Sequence, residues 1–120
     1  MSSLPRTFPS NQEGLLLVER ARKVLEESEE TKYAKARKIL HKAAELFLES
    51  GDWQDAANCY SKAAEYAHRH IKDLNKAWPD YEEAAKAYKN ICSYLGTYNA
   101  LKHFQMALEI HLELHIIAGE

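Results

Sequence analysis

The chain has 120 residues, 46% of them hydrophobic and 28% charged, with a net charge of −2. That length supports one domain with a real core, since about two-thirds of the unfolded surface is buried at this size. The near-neutral charge lacks the basic stripe expected of a nucleic-acid binder, and the apolar run Leu15 to Val18 falls far short of a membrane span.

Two of the three prolines fall in the first nine residues, where there is no periodicity and no apolar signal-peptide segment. The expectation is a disordered lead over residues 1–10 and a helical domain over 11–120 in a cytoplasmic protein. Ser10 and Glu13 form a capping-box pair, which predicts a first helix over Asn11–Ser28. Its apolar face would be Leu15, Val18, Leu25 and either Ala21 or Arg22. Glu26, Glu27, Glu29 and Glu30 then meet Lys32, Lys35, Arg37 and Lys38. Acids at one helix end and bases at the next start oppose both dipoles, so pairing across a turn is expected, with one bent continuous helix as the alternative. A second helix should span Lys32–Ser50, with Thr31 as N-cap and Gly51 as its left-handed stop. Asp52 can cap a third helix that reaches at least His70. The pattern fades over Ile71–Ala77. Pro79 suits the first turn of a fourth helix, with Asp80, Glu82 and Glu83 complementing its dipole. Gly96 reads as its end, and Thr97 as the cap of a fifth helix running to about Ile117. Strand and hairpin signals are missing. The fold class is all-α, with about five helices.

A pattern of bulk and gap recurs at offsets 0, 3, 7 and 10. It appears as Tyr33, Ala36, Leu40, Ala43, then Trp53, Ala56, Tyr60, Ala63, then Tyr81, Ala84, Tyr88, Ile91, with a variant at Tyr98, Ala100, Phe104, Ala107. Those offsets fall within about 80° on a helix, so each copy is one stripe on which a neighbour presses close at Ala. Ala56–Tyr66 also aligns without gaps over Ala100–Ile110, at a spacing of 44. Such periods mark stacked helical hairpins.

The stretch from Leu40 to Tyr66 resembles a tetratricopeptide repeat. Leu40, Ala43, Ala44 and Phe47 match its first helix, and Gly51, Asp52, Trp53, Ala56, Tyr60 and Ala63 match its turn and second helix. The later unit departs: Asn90 to Gly96 looks shortened by about a helical turn. With this irregular spacing, Lys42–Tyr66 and Trp78–Tyr88 are more similar to the SNAP proteins, helical-hairpin adaptors in SNARE complex disassembly. The resemblances imply a right-handed stack of hairpins, an α-solenoid fragment, that binds a protein or peptide partner without catalysis. A SNAP-like adaptor in membrane fusion is the narrower reading.

On the second helix, Lys38, His41 and Glu45 lie together opposite the core stripe, with Leu48 at the edge. If this helix lines a groove, as the resemblance implies, they would contact a ligand; a plain solvent face is the alternative. Lys86 and Asn90, one helical turn apart, could belong to a carboxylate clamp or form a solvated pair. His111 and His115 have the i, i+4 spacing of a metal pair, which keeps a helical-bundle metal protein or enzyme as a reading from another class. His103 lies two turns away, about 12 Å along the axis, so no third ligand is evident. His68 and His70 point about 200° apart. His41 is a formal phosphotransfer candidate but lacks the following Lys and Gly of such domains. No phosphate loop, nucleophile elbow or His-Glu-x-x-His occurs, so neither a catalytic residue nor a cofactor is assigned. Cys59 and Cys92 read as small reduced core residues.

The last helix carries two apolar stripes. One is Ala100, Leu101, Phe104, Ala107 and Leu108; the other is Met106, Ile110, Leu114 and Ile117. Between them lies a narrow polar strip of Lys102, Gln105, Glu109 and Glu113. A terminal helix of a solenoid needs a wide polar face. The second stripe is therefore the expected interface, with a second copy, a partner helix or the remainder of a longer solenoid.

Overall fold

A computed structural model describes residues 9–119, so the expected lead lies almost wholly outside the described residues. Five α-helices account for most of these residues: α1 Ser10–Val24, α2 Lys32–Ser50, α3 Trp53–Glu65, α4 Leu74–Lys89 and α5 Tyr94–Ile117. No strand occurs among the described residues. Each helix packs on its chain neighbour. The second helix matches its expected bounds, and Gly51 stops it in the left-handed region at φ 77°. Between α1 and α2 the chain breaks into a turn. There Lys35 bridges to Glu29 at 2.8 Å and Glu27 at 3.8 Å, the pairing that offsets the adverse dipoles.

Several boundaries differ from expectation. Ser10 lies inside α1 behind Pro9 and makes no cap; its hydroxyl donates to Glu49 on α2. Leu15 is exposed, and Gly14 takes its place in the core, seated under the Phe47 ring. The Thr31 and Asp52 side chains cap no amide; Asp52 instead accepts from Ser50 Oγ at 2.7 Å. The fourth helix starts at Leu74, capped by Asp73, whose carboxylate accepts from Asn75 N at 3.1 Å. Pro79 therefore sits at its sixth residue, and Asp80 lies in the core rather than at the helix start. Gly96 is no stop. Ser93 caps α5 by accepting from Gly96 N at 2.9 Å, and a Cβ on Gly96 would lie 2.6 Å from Ile91 O. The turn before α5 closes because position 96 has no side chain. Of the two cysteines, Cys59 is buried and Cys92 is exposed in that turn.

Past Glu65 the third helix continues as a six-residue π segment, Tyr66–Ile71, ending at Lys72 in the left-handed region with φ 59°. The wider winding turns Tyr66 and His70 toward the start of α2. Tyr33 stacks on His70 at 3.8 Å between centroids and lies 5.3 Å from Tyr66.

Alanines dominate the core. Ala36, Ala43, Ala56, Ala63 and Ala84 are fully buried at the gap positions of the repeat. Leu40, Phe47, Tyr60 and Tyr88 supply its bulk. Small side chains allow axes to approach to the close end of the usual 8–10 Å range. A second cluster joins the end of α3 to α4 and α5 through Ala64, Ala67, Ala77, Tyr81, Ala107 and Ile110. In the fourth repeat copy, Tyr98 is exposed. It stands two residues before Ala100 instead of three, which swings it to the other side of the helix.

Candidate interaction surface

The even-numbered helices meet through charge. Asp80 shares its helical phase with Ala77 and Ala84, and the residue is 1% exposed. Arg37 on α2 reaches it with two donors, Nε to Oδ2 at 2.7 Å and Nη2 to Oδ1 at 3.2 Å. His41 Nε2, one turn further along, donates to Oδ1 at 2.8 Å. The buried carboxylate thus has partners on both oxygens, as burial of a charge requires. Tyr60 of α3 meets the His41 ring edge-on, 5.6 Å between centroids. Its hydroxyl is pushed up to about 12 by burial first, then by the charges of Glu83, Glu45 and Asp80.

This clamp fixes where the sequence-derived binding residues stand. Lys38 and Glu45 are exposed on α2 beside it. His41 is half-buried, with one ring nitrogen held by Asp80, so it orients α2 on α4 rather than facing a ligand freely. On α4, Lys86 pairs within its own helix, with Glu83 at 3.4 Å and Glu82 at 4.0 Å. Asn90 is the C-cap residue, and its amide donates to Lys86 O at 3.0 Å. Lys86 and Asn90 are therefore joined through the backbone. Arg37 and Asp80 were missed as a pair. The available signal was an aspartate at an apolar phase of α4.

The odd-numbered helices meet on the other side. His103 of α5 is buried; its Nδ1 donates to Asn99 O at 2.8 Å, which leaves Nε2 to accept from Ser61 Oγ of α3 at 2.9 Å. Burial holds the imidazole below its ordinary value, and Lys102 adds to that effect. A cavity of about 210 Å³ opens beside the pair, lined also by Glu65, Arg69, Tyr81, Lys102 and Met106.

His111 and His115 are exposed, not part of a buried stripe. Their rings stack with centroids 5.0 Å apart, and Trp78 lies 4.9 Å from His111. No third His, Cys, Asp or Glu joins them among the described residues. The expected α5 interface also needs correction. Ile110 is 3% exposed, and Met106 and Leu114 pack with it against α3 and α4, leaving Ile117 as the outward member. Ala100 and Ala107 of the first stripe are buried too, while Leu101 and Leu108 face out. The helix thus buries Ala100, His103, Ala107 and Ile110 on one side and shows apolar residues on the opposite side.

A family model described as soluble NSF attachment protein, SNAP, matches residues 13–115. The chain belongs to the SNAP family. The matched span runs from α1 into the last turns of α5, so the SNAP assignment takes in all five helices. A search of the curated proteins found no match, and a search of the solved structures found none either. The SNAP family is one of all-α helical adaptors, of which the tetratricopeptide resemblance is a coarser description. No helix among the described residues is long and apolar enough to cross a membrane.

Proposed function

We propose that this chain is a non-catalytic SNAP-type adaptor, a single helical-repeat domain over residues 11–120. In this reading it works in the cytoplasm by holding a helical protein assembly against the face formed by α2 and α4. The carrying observation is the SNAP family match across all five helices. The Arg37–Asp80–His41 clamp supports it, because that clamp holds the two face-forming helices in a fixed relation. On this face Lys38, Glu45, Lys86 and Asn90 are the residues offered to a partner, with His41 acting from beneath. Lys38 has no ion-pair partner among the described residues, which leaves its charge for an acidic helix.

Within the family reading, the partner class is a SNARE helical bundle, and the family's name adds attachment of NSF. The test is capture of an assembled SNARE bundle by the purified chain, followed by recruitment of NSF. Lys38→Glu and Lys86→Glu should each weaken capture about threefold to tenfold, as loss of an interface charge does. Absence of capture by the unaltered chain would sink the SNARE reading. A helical-bundle metal protein is the other class; no bound transition metal in the purified protein would remove it.

A further inference from the structure

The outward side of α5 has the spacing of a coiled-coil seam. Tyr94, Tyr98, Leu101, Gln105, Leu108 and Leu112 follow one another at alternating intervals of four and three residues, and the next step falls on His115. That is the 3.5-residue repeat of positions a and d. Tyr94 is 90% exposed and Leu101 65%, so the seam is uncovered within the chain. Gln105 alone is polar in the middle of it, where a single polar core residue fixes register.

The flanking row identifies the occupant. One heptad apart, Leu95, Lys102, Glu109 and Ile116 run along the edge of the seam. The row reads apolar, positive, negative, apolar, and reversing it inverts only the two charges. Laid antiparallel on a second copy about a two-fold axis between Gln105 and Leu108, Lys102 meets the partner's Glu109 and Leu95 meets the partner's Ile116. In the seam itself Leu101 then opposes the partner's Leu112, and Gln105 the partner's Leu108. A parallel arrangement would set Phe104 beside Glu109 and His111 beside Ile116, which matches neither charge nor polarity. Isologous pairing requires this kind of self-complementarity.

We infer that α5 is an interface for a second copy of this chain, forming an antiparallel two-helix seam through Tyr98, Leu101, Gln105, Leu108 and Leu112, registered by Lys102 against Glu109. The interface lies on the opposite side of α5 from His103 and Ile110, and it is independent of the partner proposed for α2 and α4.

Molar mass by light scattering, from micromolar to millimolar chain, tests it. The unaltered chain should pass from monomer to dimer. Lys102→Glu and Glu109→Lys should each weaken the dimer by about tenfold, and the double charge reversal should restore it. Leu101→Glu should give a monomer with unchanged helical circular dichroism, since the residue is exposed. The sense of pairing is read by oxidation. Cys92, beside the start of α5, should not cross-link to its own copy, whereas Gln105→Cys in a Cys92→Ser background should. A chain that stays monomeric at millimolar concentration would overturn the inference, and that outcome would point to a different helix covering the seam. Cross-linking through Cys92, or a double reversal no tighter than the single ones, would overturn the antiparallel register.

Discussion

Removing the Asp80 carboxylate leaves Arg37 and His41 facing an apolar gap between α2 and α4. Breaking a buried pair this way costs about 3–5 kcal/mol, so Asp80→Ala should lower the denaturation midpoint sharply. Replacing Arg37 and Asp80 together with apolar residues of similar volume should recover most of that loss, because the buried guanidinium charge is then gone and only the His41 ring lacks its acceptor. Equal losses in the single and double variants would show that the clamp acts through packing alone. His103 makes the fold sensitive to acid. Its folded value lies below the ordinary 6.5, so its contribution is whole above pH 6.5 and is lost as pH falls through the folded value. Burial of the imidazole is the main cause, with Lys102 adding to it, and His103→Gln should flatten the stability profile below pH 6.5. Tyr60 acts at the other end. Its contribution is whole below pH 10 and disappears as pH rises toward about 12, so alkaline unfolding should begin in that window. Cys59 is buried with its thiol pushed up to about 12, and Cys92 is exposed; a thiol reagent should therefore label Cys92 quickly and Cys59 only on unfolding.

At the scale of elements, two glycines permit close approaches, one between α1 and α2 and one in the turn before α5. A methyl group on Gly14 would meet the Phe47 ring at 2.8 Å, and one on Gly96 would meet backbone at 2.6 Å. Gly14→Ala and Gly96→Ala should each destabilise by about 1–3 kcal/mol, the second more because backbone yields less than a ring. Lys72→Gly should instead stabilise by up to about 1 kcal/mol, since a left-handed backbone strains any side chain. Denaturant melts of the three variants check both signs. The elements themselves were largely legible in the sequence, because Gly51 and the apolar-alanine phase leave α2 few alternatives. The start of α4 and the end of α3 were not. Asp73 caps a helix whose first turns carry few apolar residues, and a π segment shifts the phase that periodicity depends on. Gly96 misled for a related reason, since a glycine required by close approach and one required by positive φ look alike in sequence.

At the scale of the molecule, the all-α stack was legible from the repeat, since alanines at fixed offsets can only serve close helix packing. The surface was less so. Periodicity gave two apolar stripes on α5 but not which one the chain itself covers; that depends on α3 and α4 placing Ala64, Ala67 and Tyr81 against Ile110. The same holds for His41, whose exposure was readable only once α4 had brought Asp80 to it. Charge-bearing residues on one face of a helix are legible as a row, but their partners lie on other helices at separations of about 40 residues.

The alanine seams also have a mechanical consequence. Surfaces built from methyl groups present shallow ridges, and helices joined by them can slide past one another with little repacking, in the manner of shear motions. Against that smoothness stand the two polar rivets that join alternate helices among the described residues, Arg37–Asp80–His41 on one side of the stack and Ser61–His103 on the other. Under load the molecule should behave as a spring with two pivots, compliant along its seams and stiff where the rivets sit.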